Sequence, residues 1–292
     1  MNFSTDIILE FENVNFKLGR GKKVFFLNDI SFAVRRGNVT GLIGENSAGK
    51  TTLLRLVLNL YLQDSGSIFL FGKKDCRGNI EARDKIGFVI SDTFLPFFHT
   101  AKTAGTFLSN VYSNWDSNLY EKYLHDFKIP VSKRFFSLSS GTIQKLQIAM
   151  ALSHNAELLI MDEPLNYLDP VFKKQFLEIL QEFMKDEKHA VLISSHQTSD
   201  LEKICNDVLF ISGGKTVFSD SMENLNGKYG ILKTDEKTFR SLSANDYIGY
   251  RTTKYAYEIL TAHKTSKKFS GMVCEDASLE DIMYFYITRG EN

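Results

Sequence analysis

Residues 44–52 read GENSAGKTT: Gly44, Glu45, Asn46, Ser47, Ala48, Gly49, Lys50, Thr51 and Thr52. The first eight fit the pattern G-x-x-x-x-G-K-[ST]. Upstream, residues 39–43 (VTGLI) form a short apolar run that predicts a buried strand. Downstream, residues 51–60 (TTLLRLVLNL) carry apolar side chains at helical spacing. A strand, a glycine-bearing loop and a helix are the context in which this pattern wraps a chain of phosphates. Backbone N–H groups of the loop and of the helix N-terminus face the anion. Gly44 and Gly49 allow unusual dihedrals and close approach. Lys50 is expected to place its charge on the β- and γ-phosphates, and the Thr51 hydroxyl to bind Mg²⁺.

Working outward, residues 158–163 (LLIMDE) are a second apolar strand that ends in two acids. Such a strand sets both carboxylates at its carboxyl edge, where ligands bind in open α/β sheets. Asp162 is expected to hold Mg²⁺, and Glu163 to orient and deprotonate an attacking water. Residues 7–18 and 24–34 read as antiparallel strands around Gly19, Arg20 and Gly21. Further short strands are predicted at 67–71, 86–90 and 190–194, and a hairpin at 208–211 with 216–218. Helices are expected at 141–152 and at 170–184, with Pro170 at a favourable early position. Between 92 and 136 the texture changes to helical periodicity rich in Phe and Tyr (103–115 and 118–127), which predicts an inserted helical unit. Alternating buried strands and helices imply a mostly parallel sheet with both faces covered.

The expected fold is therefore α/β. It has a P-loop NTPase core, an N-terminal antiparallel β subdomain, an inserted helical subdomain and a small C-terminal α+β extension. The expected division is 1–224 for the nucleotide-binding domain, with about 92–155 inserted, and 225–292 for the accessory extension. After about residue 220 the chain becomes more polar. Residues Ser278 and Asp281 frame a capping box that starts a last helix at 279–287.

Composition narrows the function classes. The 292 residues carry 35 basic and 35 acidic side chains, so no global positive field exists to hold nucleic acid. Apolar content of 43% is too high for a disordered chain. Three scattered cysteines, Cys76, Cys205 and Cys274, form neither a disulfide framework nor a zinc site. No apolar run approaches the roughly 18–20 residues that span a bilayer, so work at a membrane would need a partner chain. The first ten residues lack the basic n-region of a signal peptide.

Leu138, Ser139, Ser140, Gly141 and Thr142 precede a helix, some twenty residues before the acidic pair, and this stretch resembles the LSGGQ signature of ATP-binding cassette ATPases. Leu168, Asp169 and Pro170 resemble their D-loop. Ser194, Ser195 and His196 resemble their switch histidine. With the phosphate loop, the motifs stand in the family's order, and the resemblance covers roughly residues 7–224. It implies an ATPase with ATP and Mg²⁺ bound. It implies that Ser139, Ser140, Gly141 and Thr142 serve a γ-phosphate held by a second ATPase subunit, identical or paralogous, in a head-to-tail dimer. A helix N-terminus at Gly141, with free amides and a positive dipole end, suits that role. His196 is expected to hydrogen-bond the γ-phosphate and position Glu163, so the catalytic set is Lys50, Glu163 and His196.

The resemblance also marks departures. Where the family has a Gln after the strand at 86–90, this chain has Ser91 and then Asp92, either of which is a candidate oxygen ligand for the metal. The first signature glycine is Ser140. The position of the adenine-stacking aromatic falls on Leu18, with Phe16 nearby. The aromatic stretch with Phe94, Leu95, Pro96, Phe97, Phe98 and Phe107 borders the region where the family receives a short helix of its membrane subunit. Residues 278–283 (SLEDIM) and 151–155 (ALSHN) resemble bacitracin-resistance and peptide-exporter ATP-binding proteins, among which exporters of amphipathic staphylococcal peptides are a candidate match. The implied function is ATP-driven export of peptides or toxic amphiphiles, at the cytoplasmic face of the membrane, with a membrane-spanning subunit as partner. A soluble cassette acting on ribosomes or DNA usually carries two cassettes with a basic linker, or a long coiled coil, and this chain has neither. A nucleotide-gated regulatory module of low turnover is the reading that Ser91 and Ser140 favour.

Overall fold

The computed structural model describes residues 6–20, 23–75, 78–90, 99–254, 256–269 and 271–289. The chain opens with two long strands, β1 (Ile7–Arg20) and β2 (Lys23–Arg35), which pair antiparallel out to Arg20 and Lys23. Then come β3 (Val39–Ile43), α1 (Lys50–Val57), β4 (Ser65–Leu70) and β5 (Lys73–Lys74). Strands β2-β1-β4-β5 form the antiparallel N-terminal sheet.

Next are α2 (Ile80–Asp84), β6 (Ile86–Val89), α3 (Ala101–Leu108), α4 (Ser117–Asp126) and α5 (Ser140–Leu152). Helix α3 stops at Leu108 instead of continuing to Trp115. There the Ser113 backbone and hydroxyl turn to the Asp84 carboxylate, a competing partner that draws the chain out of the helix. The core resumes with β7 (Leu158–Asp162), α6 (Pro170–Phe183), β8 (Ala190–Ser194), α7 (Thr198–Leu201), β9 (Asp207–Ser212) and β10 (Lys215–Ser221). The central sheet runs β10-β9-β3-β8-β7-β6, parallel except for the edge strand β10.

Alternation along each central strand assigns its side chains to two cores. Leu42, Leu158, Ile160, Leu192, Leu209 and Ile211 face α1 and the N-terminal sheet. Ile43, Leu159, Met161, Ile193, Val208 and Phe210 face α5, α6 and the helical insertion. Every residue of β3, β7 and β8 is buried, as a parallel sheet covered on both faces requires. Each buried Val, Leu, Ile or Met side chain among them contributes about 1.5–3 kcal/mol of transfer free energy.

The chain ends with α8 (Met222–Lys228), β11 (Gly230–Thr234), α9 (Glu236–Arg240), β12 (Gly249–Thr252), β13 (Tyr257–Thr261), β14 (Val273–Asp276) and α10 (Leu279–Thr288). The four strands make an antiparallel sheet in the order β12-β13-β11-β14. One face, with Ile231 and Leu260, joins the same core as Val208 and Phe210. The other, with Leu232 and Ile259, packs under an aromatic group in which Phe239 stacks on Tyr257 at 4.4 Å.

Candidate nucleotide site

The phosphate loop bridges β3 and α1, as the sequence predicts. Two of its glycines are sterically required. Gly44 has φ +153°, and a Cβ there would lie 2.2 Å from the Ile211 carbonyl oxygen. Gly49 has φ +111°, and a Cβ there would meet Leu27 and the Phe25 ring at 2.7 Å. Lys50 is the first residue of α1 and is buried. Its Nζ donates to the carbonyl oxygens of Gly44 (2.7 Å) and Glu45 (3.1 Å), which holds the ammonium beneath the loop. Burial pushes the Lys50 pKa below the usual lysine value, opposed by the carboxylates of Glu163, Asp162 and Glu45.

The acidic pair sits at the end of β7 and is bound into a chain of hydrogen bonds. Thr51 Oγ1 donates to Asp162 Oδ2 (2.8 Å). Ser194 Oγ, at the end of the neighbouring β8, donates to Asp162 Oδ1 (2.7 Å) and accepts from the Glu163 backbone N–H (3.0 Å). Glu163 adopts φ 51°, a left-handed conformation that turns it out of the strand line. Its Oε2 accepts from the His196 backbone N–H (3.2 Å) and lies 2.8 Å from His196 Nδ1. A carboxylate accepts only, so Nδ1 donates in this contact, and Nε2 is the ring nitrogen turned away from Glu163. The structure thus brings Thr51, Asp162, Glu163 and His196 together.

Ser194 is the link that sequence reasoning missed as a site residue. A small polar side chain ending an apolar strand gives no signal beyond its position. Gln147 is a second missed residue, buried in α5, where its Oε1 accepts from the Ile90 backbone N–H (3.0 Å). That bond ties the signature helix to the strand end that precedes Ser91. Ser91 and Asp92, and the aromatic stretch from Phe94 to Phe98, lie outside the described residues. Phe107 is exposed.

Leu18, Phe25, Glu45, Asn46, Ser47, Gly49, Lys50, Thr51, Thr52 and Glu163 line a cleft of about 350 Å³ at the loop. Leu18, which the resemblance sets at the adenine position, lines this cleft, and Phe16 does not. Phe16 is buried and stacks on Tyr61 at 5.3 Å, so its ring belongs to the core. Register shifts in β1 between Val14 and Phe16 fix that orientation. Phe25, paired with Leu18 across β1 and β2, is the ring that faces the cleft.

The signature residues are not in the cleft lining. Ser139 is the N-cap of α5, and its Oγ accepts from the Thr142 N–H (3.2 Å). Ser139 and Ser140 are exposed. A Cβ on Gly141 would lie 2.6 Å from the Tyr167 carbonyl oxygen, so the glycine lets the tip of α5 rest on the backbone before Asp169. Asp169 caps α6 by accepting from the Phe172 N–H (2.9 Å), and Lys145 of α5 donates to its other oxygen (3.3 Å). The capping N–H of Phe172 holds the Asp169 carboxyl below its usual pKa.

Two family models match this chain: "ABC transporter" over residues 27–166 and an AAA domain over 134–199. The chain belongs to the ABC transporter ATP-binding protein family, and it is an ATP-binding ATPase subunit of that class. It is 34% identical to the bacitracin transport ATP-binding protein BcrA of Bacillus licheniformis, over 72% of this chain and 70% of that protein. It is 30% identical to the ABC transporter ATP-binding protein NatA of Bacillus subtilis, over 70% of this chain and 85% of that one. Among solved structures, an ATP-binding subunit of an ABC transporter superposes with a TM-score of 0.67 at 24% identity, covering 81% of this chain and 95% of that one. A dimeric ATP-binding cassette in a post-hydrolysis state with ADP and phosphate gives 0.67 at 20% identity, covering 74% and 99%. Both likenesses support the P-loop α/β fold. A bacitracin transport protein thus stands among the relatives, as the family resemblance implies. Among the described residues no helix is long and apolar enough to cross a membrane.

Proposed function

We propose that this chain powers an exporter of peptides or toxic amphiphiles by hydrolysing ATP clamped between two such subunits. The hydrogen-bonded chain Thr51–Asp162–Ser194–Glu163–His196 beside the phosphate loop is the observation that carries this reading. In it, Lys50 neutralises the transferring phosphoryl group, and Glu163 takes the proton of the attacking water. His196 holds Glu163 through its backbone N–H and Nδ1–H, and with the ring doubly protonated it donates Nε2–H to the γ-phosphate. The Thr51 hydroxyl and the Asp162 carboxylate are hard oxygen donors 2.8 Å apart, a set that fits Mg²⁺ shared with phosphate oxygens. When bound, that ion would offset charge developing on the β- and γ-oxygens.

The tip of α5 (Ser139, Ser140, Gly141, Thr142), exposed at Ser139 and Ser140, serves the nucleotide of the second subunit. Lys50→Ala and Ser140→Asp chains test this sharing. The first loses its own phosphate contact, and the second sets a carboxylate against the partner's phosphate. Each alone is expected to be inactive, and an equimolar mixture to recover turnover at the one intact composite site. A mixture as inactive as its parts removes the head-to-tail arrangement.

Phe25, with Leu18, is the shelf for the adenine base. Phe25→Leu keeps an apolar contact with Gly49 but removes the ring. ATP affinity is expected to fall about tenfold, since a stacked base contributes about 1–3 kcal/mol. Affinity for inorganic triphosphate should not change, and an equal loss for both ligands in calorimetry would reassign Phe25 to loop support.

The membrane partner is a transporter subunit that presents a short helix to the cytoplasmic side. A cleft of about 280 Å³ beside β6 supports this, with Ile80, Phe88 and Val111 exposed around it. Similarity to a bacitracin transport protein favours export of a peptide-like cargo. The working division is 1–224 for the cassette, with about 92–155 as its helical insertion, and 225–292 as an accessory extension.

A further inference from the structure

The segment after His196 is held from two sides. Helix α7 has four residues, far below the roughly 12–15 that make a helix stable alone, so packing and outside bonds must fix its place. It also has no side-chain N-cap. From α6, Lys173 Nζ donates to Gln197 Oε1 (3.2 Å) and to Asp200 Oδ2 (3.5 Å). From the C-terminal extension, the backbone N–H of Leu279 donates to Glu202 Oε1 (2.5 Å). Leu279 is the first residue of α10, one of the positions whose N–H has no partner within the helix. Glu202, at the end of α7, supplies the acceptor with a negative charge at the positive end of the α10 dipole. Around this joint Leu201, Leu279 and Ile282 are buried in one core. The α10 end is itself braced by its capping box and by Arg251, 3.7 Å from Asp281.

We propose that Glu202 is a positioning residue for hydrolysis, through which the C-terminal extension fixes α7 and thereby His196. The proposal rests on the role given above to His196. With the joint made, the chain leaving His196 is anchored six residues later to a body that shares the cassette core. With it broken, α7 keeps the packing of Leu201 and the Lys173 bonds but loses its hydrogen bond to α10, and His196 loses its fixed approach to Glu163 and the γ-phosphate.

Steady-state ATP hydrolysis by the full chain, below each variant's unfolding midpoint, tests this. Glu202→Ala removes the acceptor. Leu279→Pro removes the donor from the opposite side, at a helix position that suits proline and after a Ser278 already in extended backbone. Each is expected to lower kcat about tenfold, while KM for ATP stays within about twofold. Both delete this bond, and Leu279→Pro also removes a buried side chain, so Leu279→Pro should be the slower, and adding Glu202→Ala to it should slow it no further. Glu202→Gln keeps a carbonyl acceptor and should restore most of the turnover. A folded Glu202→Ala protein with unchanged kcat overturns the proposal, as does a double variant with multiplied losses. His196→Ala, measured alongside, separates the two levels. If it leaves turnover unchanged, the role of His196 fails; if it abolishes turnover while Glu202→Ala does not slow it, only the joint fails.

Discussion

Glu163→Gln is expected to slow ATP hydrolysis by about 10²–10⁴-fold, the usual contribution of a positioned general base. The amide keeps a carbonyl oxygen to accept from the His196 N–H and Nδ1, so the local geometry survives. What it loses is the capacity to take a proton from water. On the proposed reading nucleotide is held by the loop and Lys50, so its binding should stay near wild type. Bound ATP then persists, and the nucleotide-held pair of subunits should accumulate. Phosphate release measures the first effect, and gel filtration with ATP the second. A variant that hydrolyses ATP at the wild-type rate would move the base elsewhere, and one that remains a monomer with ATP would count against the shared site.

Lys50→Ala should remove tight nucleotide binding. The ammonium is buried at the start of α1, and burial already disfavours its charge. An incoming triphosphate adds several negative charges to those of Glu163, Asp162 and Glu45, and the pair forms where water screens it little. Charge-assisted hydrogen bonds are worth about 1.5–3 kcal/mol each, so loss of contacts to two phosphates lowers affinity by about 10²-fold or more. Titration with a fluorescent ATP analogue reads this directly. Affinity equal to wild type would mean that residues 44–52 cradle something other than phosphate.

Both variants touch residues that were legible before any coordinates. The loop and the acidic strand end are contiguous in sequence, and their glycines and charges follow from local geometry. Strands β3 and β8 fall where their apolar runs predict them, because complete burial erases alternation and leaves only length to read. Phe25 gave no sign of facing the loop, because that depends on its pairing with Leu18, beyond a bulge in β1 where Asn13 has φ 50°. The C-terminal sheet was hidden for another reason. Its strands have four or five residues, and β14 is exposed along its whole length, so no hydrophobic period marks it. Ser194 joined the site only through the pairing of β7 with β8, a neighbour relation that no single segment encodes.

The contact between Gly141 and the Tyr167 carbonyl has a mechanical outcome. With Lys145 clamping Asp169 across the same gap, the tip of α5 and the turn into α6 behave as one stiff lever. On the head-to-tail arrangement proposed above, two subunits joined through that lever would part by tilting whole, with both tips leaving the opposite nucleotide in the same stroke, instead of peeling away one loop after another.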